Sequence, residues 1–188
     1  MAQILKREPV YKGYSTIERV TARLDNGVEI TREVESHGRA VAVLPYDPER
    51  RTALLVRQFR APVMAASGAP SLLEAPAGMI DGDDTAEASV RREALEEVGL
   101  KLGDIERVAV AWPSSGVSTE TMTLYLAQYA AADRIAPGGG LDSEQEHITV
   151  VETPLADLAR LGQGDEAVDM KLMLLTQALR LKRPDLFA

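Results

Sequence analysis

The sequence predicts a single α/β domain built on a mixed sheet with helices covering both faces. Segments that read as strands and segments that read as helices are interleaved without a regular βαβ repeat, which argues against an all-parallel sheet. The chain has 188 residues, 45% of them hydrophobic, which is enough for one substantial core and too little for two comfortable domains. No internal repeat or low-complexity linker interrupts it.

Taken in order, Tyr14 to Leu24 is rich in β-branched and apolar residues, Asp25-Asn26-Gly27 is a strong turn signal, and Val28 to Val34 alternates again. That pattern predicts a hairpin. Arg39 to Pro45 and Thr52 to Phe59 read as two buried strands joined by a turn at Tyr46-Asp47-Pro48-Glu49-Arg50. Ala61 to Pro70 carries two prolines, a glycine and no polar periodicity, and reads as a loop. Asp83-Asp84-Thr85 offers capping side chains, strong helix formers run from Ala86 to Val98, and Gly99 supplies a left-handed stop. Val108 to Trp112, Thr121 to Tyr129 and Ile148 to Val151 read as further strands, and Pro154 to Leu161 and Ala167 to Leu181 as closing helices. Pro137-Gly138-Gly139-Gly140 opens what reads as a flexible loop.

Composition excludes several classes of chemistry. With no cysteine there is no disulfide, thiolate zinc site or cysteine nucleophile, so a metal must be held by oxygen or by the two histidines, His37 and His147. Oxygen ligands select a hard cation such as Mg2+, with Mn2+ as a substitute. A net charge of −8 argues against a nucleic-acid surface, which needs clustered Lys and Arg. No apolar run approaches the roughly 20 residues of a membrane helix, and the N-terminal residues lack the apolar stretch of a secretory signal. The expectation is a cytoplasmic protein without a membrane or nucleic-acid partner.

Glu93 and Glu97, four residues apart on the expected helix, share one face, and Glu96 borders it. Such a row of like charges costs an isolated helix roughly 0.2–0.5 kcal/mol per pair, a cost that a bound cation reverses. A lone Glu-x-x-Glu-Glu is ordinarily a solvated acidic face. The frame around this one is not ordinary. Gly78, five residues, Asp84, seven residues, then Arg92-Glu93-Ala94-Leu95-Glu96-Glu97-Val98-Gly99-Leu100 closely resembles the Nudix box, with Asp84 standing where that family usually has Glu.

The resemblance implies an α/β/α sandwich across nearly the whole chain, residues 1–188, with a catalytic loop–helix–loop. It makes Glu93 and Glu97 metal ligands, Glu96 a ligand or its close support, Arg92 the cation that orients the carboxylates, and the Ala77 carbonyl a further ligand. Gly78 is expected to let the backbone turn tightly before the helix. Glu97 is expected to be a surface carboxylate whose replacement leaves the fold intact. The chemistry agrees, because hydrolysing a pyrophosphate requires charge neutralisation and an activated water, which carboxylate-held divalent cations supply.

Downstream, Gly140-Leu141-Asp142-Ser143-Glu144-Gln145-Glu146-His147-Ile148 resembles the acidic loop of ADP-ribose pyrophosphatases, which implies Glu144 as general base and Glu146 as metal ligand. His147 reads as a surface or strand-start residue. Arg57-Gln58-Phe59-Arg60, followed by Leu73-Glu74-Ala75-Pro76-Ala77-Gly78, resembles the sugar-nucleotide branch of the family. That branch implies Arg60 as the leading substrate cation, with Arg57 and Arg32 behind it and Glu74 among the substrate-binding residues. Ser114-Ser115-Gly116-Val117-Ser118-Thr119-Glu120 falls where these enzymes carry a Ser-Pro-Gly-Gly loop ending in a ribose-binding Glu, and its Glu120 is retained. Tyr14 aligns with an aromatic that stacks on the base. Residues 1–36 fit an exchanged dimerisation arm, so a homodimer is expected. The implied activity is Mg2+-dependent cleavage of a nucleoside-diphosphate sugar, GDP-mannose or ADP-ribose, to a nucleoside monophosphate and a sugar phosphate. The rival readings are a Nudix hydrolase for another nucleoside diphosphate derivative and a catalytically silent sensor of nucleotide sugars.

Overall fold

The computed structural model describes residues 1–188 apart from Asp142, Glu144, Gln145, Asp165 and Glu166. Its backbone divides into two units, Met1–Arg39 with Ala111–Met122, and Ala40–Val110 with Thr123–Ala188.

The first unit is an antiparallel sheet of three strands, β1 (Gln3–Lys12), β2 (Thr16–Arg23) and β3 (Glu29–Ser36), in chain order. The expected hairpin is β2–β3. Its turn closes where the Val28 N–H donates to Asn26 Oδ1 at 3.1 Å, with Gly27 at φ 84°. β1 was not expected. Nearly every residue of it is exposed, so it carries no apolar alternation to read, and it tolerates Pro9 because it is an edge strand whose register slips beside that residue. The loop after Ala111 is tied to β3: Glu35 N–H donates to the Val117 carbonyl at 2.7 Å, and Thr119 N–H donates to the Glu35 carbonyl at 2.8 Å.

In the second unit β4 (Arg39–Asp47) and β5 (Thr52–Phe59) are the expected buried strands. The sheet runs β10 (Thr149–Pro154), β5, β4, β9 (Thr121–Gln128), β8 (Ile105–Ala111), with β6 (Ser71–Glu74) on β5 and β7 (Ala77–Met79) on β4. β4 is antiparallel to β5 through Tyr46 and Asp47, and to β7 through Ala40, Val41 and Ala42. It runs parallel to β9: Thr121 N–H donates to the Gly38 carbonyl, and Tyr129 N–H to the Tyr46 carbonyl, in the same register. The sheet is therefore mixed.

Alternation along the strands sorts the core into two faces. Val41, Val43, Leu54, Val56, Tyr125 and Ala127 pack with Val90, Ala94 and Val98 of the helix α2 (Ala86–Val98). The intervening residues Ala42, Leu44, Ala53, Leu55, Leu124 and Leu126 are equally buried and point the other way. The closing elements bring the apolar cover: Leu155 and Leu158 of α3 (Leu155–Leu158), Leu172, Leu175 and Leu179 of α4 (Met170–Lys182), and Leu186 of the final 3-10 turn are all buried. At roughly 1.5–3 kcal/mol per buried large aliphatic side chain, these leucines are a principal source of stability.

α2 has the expected bounds. Thr85 caps it by accepting from Ala88 N–H at 3.1 Å, and Gly99 ends it at φ 73°. One expectation fails: the stretch from Ala61 to Pro70 is not all loop but contains a short helix, α1 (Ala61–Ser67). Pro62 lies in its first turn, where a missing N–H costs nothing, and none of its residues is buried, so no periodicity marks it. Among the described residues no helix is long and apolar enough to cross a membrane.

Candidate active site

The site forms where β7, α2 and the segment ahead of β10 meet. α2 aims Glu93 and Glu97 inward, and both are buried, Glu97 with 1% of its surface exposed. This corrects the expectation that Glu97 is a surface carboxylate. The helix face that carries it also packs Val90, Ala94 and Val98 into the core, so a charge on that face is carried in with them. The Ala77 N–H donates to Glu97 Oε2 at 2.9 Å, which pins β7 to the helix and places Ala77 beside the carboxylates.

Gly78 also has a different reason from the expected one. It lies in β7 and is not among the glycines with positive φ. What it provides is room, because the three nearest atoms that a Cβ there would meet all belong to the Glu93 carboxylate, at no more than 2.5 Å.

Arg92 brackets the outer acids. It pairs with Glu93 at 2.9 Å, Glu96 at 3.0 Å and Asp81 at 3.1 Å, and donates to the Met79 carbonyl at 3.2 Å. Burial works against its charge, but Glu93 and Glu96 outweigh this and raise its pKa. Arg92 thus ties three acids and one backbone carbonyl to a single guanidinium.

Glu97 bears the largest electrostatic load. Burial above all, with the charges of Glu93 and Glu146 adding to it, pushes its pKa up to about 8, against the Ala77 hydrogen bond and the charge of Arg60. Glu93, Glu97, Glu146 and Arg60 therefore form one electrostatic cluster. Glu146 is held at the mouth of its loop, where its Oε2 accepts from Leu141 N–H at 3.3 Å. Glu144, the sequence-based candidate for general base, lies outside the described residues.

Arg60 precedes α1 and forks onto Glu74 of β6, Nε to Oε1 at 2.7 Å and Nη2 to Oε2 at 2.9 Å, a bidentate pair that fixes the guanidinium plane. Burial would raise the Glu74 pKa, but the Arg60 hydrogen bond and the Lys171 charge lower it, so Glu74 is a carboxylate committed to cations. Lys171, in the first turn of α4, pairs with Glu74 and lies 3.2 Å from Asp169. Sequence reasoning missed both Lys171 and Asp169, and Lys171 stands 97 residues from Glu74 along the chain. One signal was present: a lysine in the first turn of a helix opposes the helix dipole, by about 0.3–1 kcal/mol, and calls for an acidic partner.

The remaining implied residues divide between the two units. Arg57 is exposed on β5, with its backbone opposite Leu73 and Thr149. Arg32, Tyr14 and Glu120 belong to the first unit. Within it Arg32 donates to the Thr31 carbonyl, Tyr14 is 93% exposed with its ring edge-on to His37, and Glu120 N–H donates to Ser118 Oγ at 3.1 Å.

Among the described residues no three acids or histidines close around a common point. The donor set nevertheless suits a hard cation: the candidate ligand atoms are all oxygen, two of the carboxylates are buried, and one is driven toward its neutral form by burial and by the charge of the others, a conflict that a divalent ion would resolve.

Comparison with known proteins agrees with this geometry. The NUDIX domain family model matches residues 36–184. A GDP-mannose pyrophosphatase of Cronobacter sakazakii is 35% identical over 187 residues, covering 96% of this chain and 95% of that one. One from Salmonella arizonae is 31% identical over 183 residues, covering 95% and 94%. A crystal structure of an ADP compounds hydrolase superposes with a TM-score of 0.78 at 21% identity, covering 98% of this chain and 95% of that one, and so shares its fold. With its box folded as a capped helix that buries two glutamates against β7, the chain belongs to the Nudix family of hydrolases.

Proposed function

We propose that the chain hydrolyses the pyrophosphate bond of a nucleoside-diphosphate sugar, GDP-mannose or ADP-ribose, giving a nucleoside monophosphate and a sugar phosphate. The observation that carries this is the cluster of Glu93, Glu97 and Glu146 beside Arg60, with Glu97 forced to a pKa of about 8. It concentrates negative charge to hold a cation and sets a guanidinium at its edge to meet phosphate oxygens. End-to-end likeness to GDP-mannose pyrophosphatases supports the substrate class.

Members of the family generally use a divalent metal, and we take it to be Mg2+, with Mn2+ as a substitute. When bound, the ion neutralises the pyrophosphate oxygens and acidifies the attacking water. Glu93, Glu97, Glu146 and the Ala77 carbonyl hold it, and Glu96 supports them through Arg92. Glu144 takes the proton from water. Arg60, oriented by Glu74 and Lys171, binds the diphosphate through its outer edge, with Arg57, Arg32, Glu120 and Tyr14 as further substrate contacts. We read the chain as one catalytic domain that works as a homodimer, with residues 1–36 as its arm.

The test is a panel of nucleotide sugars and nucleoside triphosphates incubated with enzyme and Mg2+, read as phosphate released by phosphatase from the products. Release from GDP-mannose or ADP-ribose above all others supports the reading. Release only from triphosphates or dinucleotides, or from nothing, overturns it.

A further inference from the structure

The glycine turn at 138–140 is docked on the C-terminal end of α2. A helix leaves its last carbonyls without partners. In α2 the Ala94 and Leu95 carbonyls are taken by the cap, and the next two by the turn: Gly140 N–H donates to the Glu96 carbonyl at 3.0 Å and Gly139 N–H to the Glu97 carbonyl at 2.9 Å. Glu97 thus offers its carboxylate to the site and its carbonyl to the turn.

At Gly138 and Gly140 contact as well as conformation selects glycine. The three residues have φ of 73°, 116° and 80°, a region that side chains disfavour. A Cβ on Gly138 would lie 2.5 Å from the Glu97 carbonyl oxygen and 2.7 Å from the Val98 Cα, which are backbone atoms that cannot move without unwinding the helix end. A Cβ on Gly140 would lie 2.7 Å from Glu146 Oε2 and 2.8 Å from Glu146 Cβ. All three residues of the turn touch the helix carrying Glu93 and Glu97, and the last also touches the Glu146 side chain.

We propose that this turn is a positioning element that sets the separation between the helix carboxylates and Glu146, so that a cation site drawn from two distant stretches of chain is assembled before the ion arrives. The proposal rests on the reading of Glu146 as a ligand.

The experiment is direct Mn2+ binding to the full chain, followed by electron paramagnetic resonance of the free ion, with thermal melting in chelator as a fold control. The variants are Gly138→Ala, Gly140→Ala, Glu146→Gln and Gly27→Ala. Gly27 has a positive φ of 84° and no atom within 4 Å of where a Cβ would stand, so its variant shows the effect of backbone strain alone. Gly138→Ala and Gly140→Ala should each weaken Mn2+ binding about 10- to 100-fold, the range typical of lost support around ligands, while Gly27→Ala changes only the melting temperature. If Glu146→Gln binds Mn2+ normally, the ligand reading fails. If Glu146→Gln is weakened but folded Gly138→Ala and Gly140→Ala bind normally, the positioning role is overturned. Should Gly138→Ala not fold, Gly140→Ala decides, because its clash is with a side chain.

Discussion

The Glu93 carboxylate occupies the space that a side chain at Gly78 would need, although one residue lies on a strand and the other on a helix. Gly78→Ala should therefore act on the site more than on the fold. A methyl there displaces Glu93 by about an ångström, and misplacement of that size costs about 10²-fold in rate. Steady-state kinetics beside a melting curve checks this. A fall of that order with an otherwise native far-UV spectrum is expected, and unchanged kcat/KM would show that Glu93 can retreat harmlessly.

Glu97 links stability to pH. Its folded pKa of about 8 lies above the ordinary carboxylate value of 4.5, so between those pH values the unfolded chain has lost a proton that the folded chain still holds. Unfolding is then favoured as pH rises, and metal-free protein should lose on the order of a few kcal/mol from pH 4.5 to pH 8 and little beyond. Glu74, with its lowered pKa, acts in the opposite sense at acid pH, where its stabilising contribution is lost as pH falls. Chemical denaturation in chelator from about pH 5 to about pH 8.5 measures the slope. Glu97→Gln, which keeps an oxygen for the Ala77 N–H, should flatten it while abolishing most activity, and Mg2+ should restore stability to the wild type at about pH 8.

Arg60→Ala should raise KM about tenfold or more with kcat little changed, as expected for a group that binds the diphosphate equally in ground and transition states. Arg60→Lys should recover only part of this, since an ammonium cannot fork onto Glu74 and still present a planar edge. A defect confined to kcat would assign Arg60 to the transition state instead.

Glu144 and Glu146 should separate in a magnesium titration. A base contributes to the transition state, so Glu144→Gln should lower kcat about 10²- to 10⁴-fold at any Mg2+ concentration. Glu146→Gln should raise the Mg2+ needed for half-maximal rate and recover in excess ion. If their responses are reversed, so are the roles, and if neither loses activity the base is sought on α2, at Glu96 first.

What the sequence made legible has a common physical character. α2 was visible because its cap, its helix formers and its stop are local features, and the box around Glu93 and Glu97 because its spacing is fixed within one loop and helix. α1 and β1 were not visible, since neither buries a face and burial is what writes periodicity into a sequence. Lys171 was missed because its partner Glu74 is remote along the chain, and no local pattern records such a pairing. The burial of Glu97 was misjudged for a related reason. A glutamate reads as surface unless one knows that Val90, Ala94 and Val98 beside it face a sheet.

The parallel pairing of β4 with β9 shapes how the chain is made. β4, β5, β6, β7 and α2 all leave the ribosome before Thr121, so α2 can dock while one edge of β4 still lacks its neighbour. Long-range parallel pairing forms slowly, and an open apolar edge at Val41–Leu44 recruits other chains in the meantime. Nascent fragments that stop short of β9 should be insoluble even with the entire box in place, so that solubility in synthesis is decided by a strand that carries none of the box glutamates.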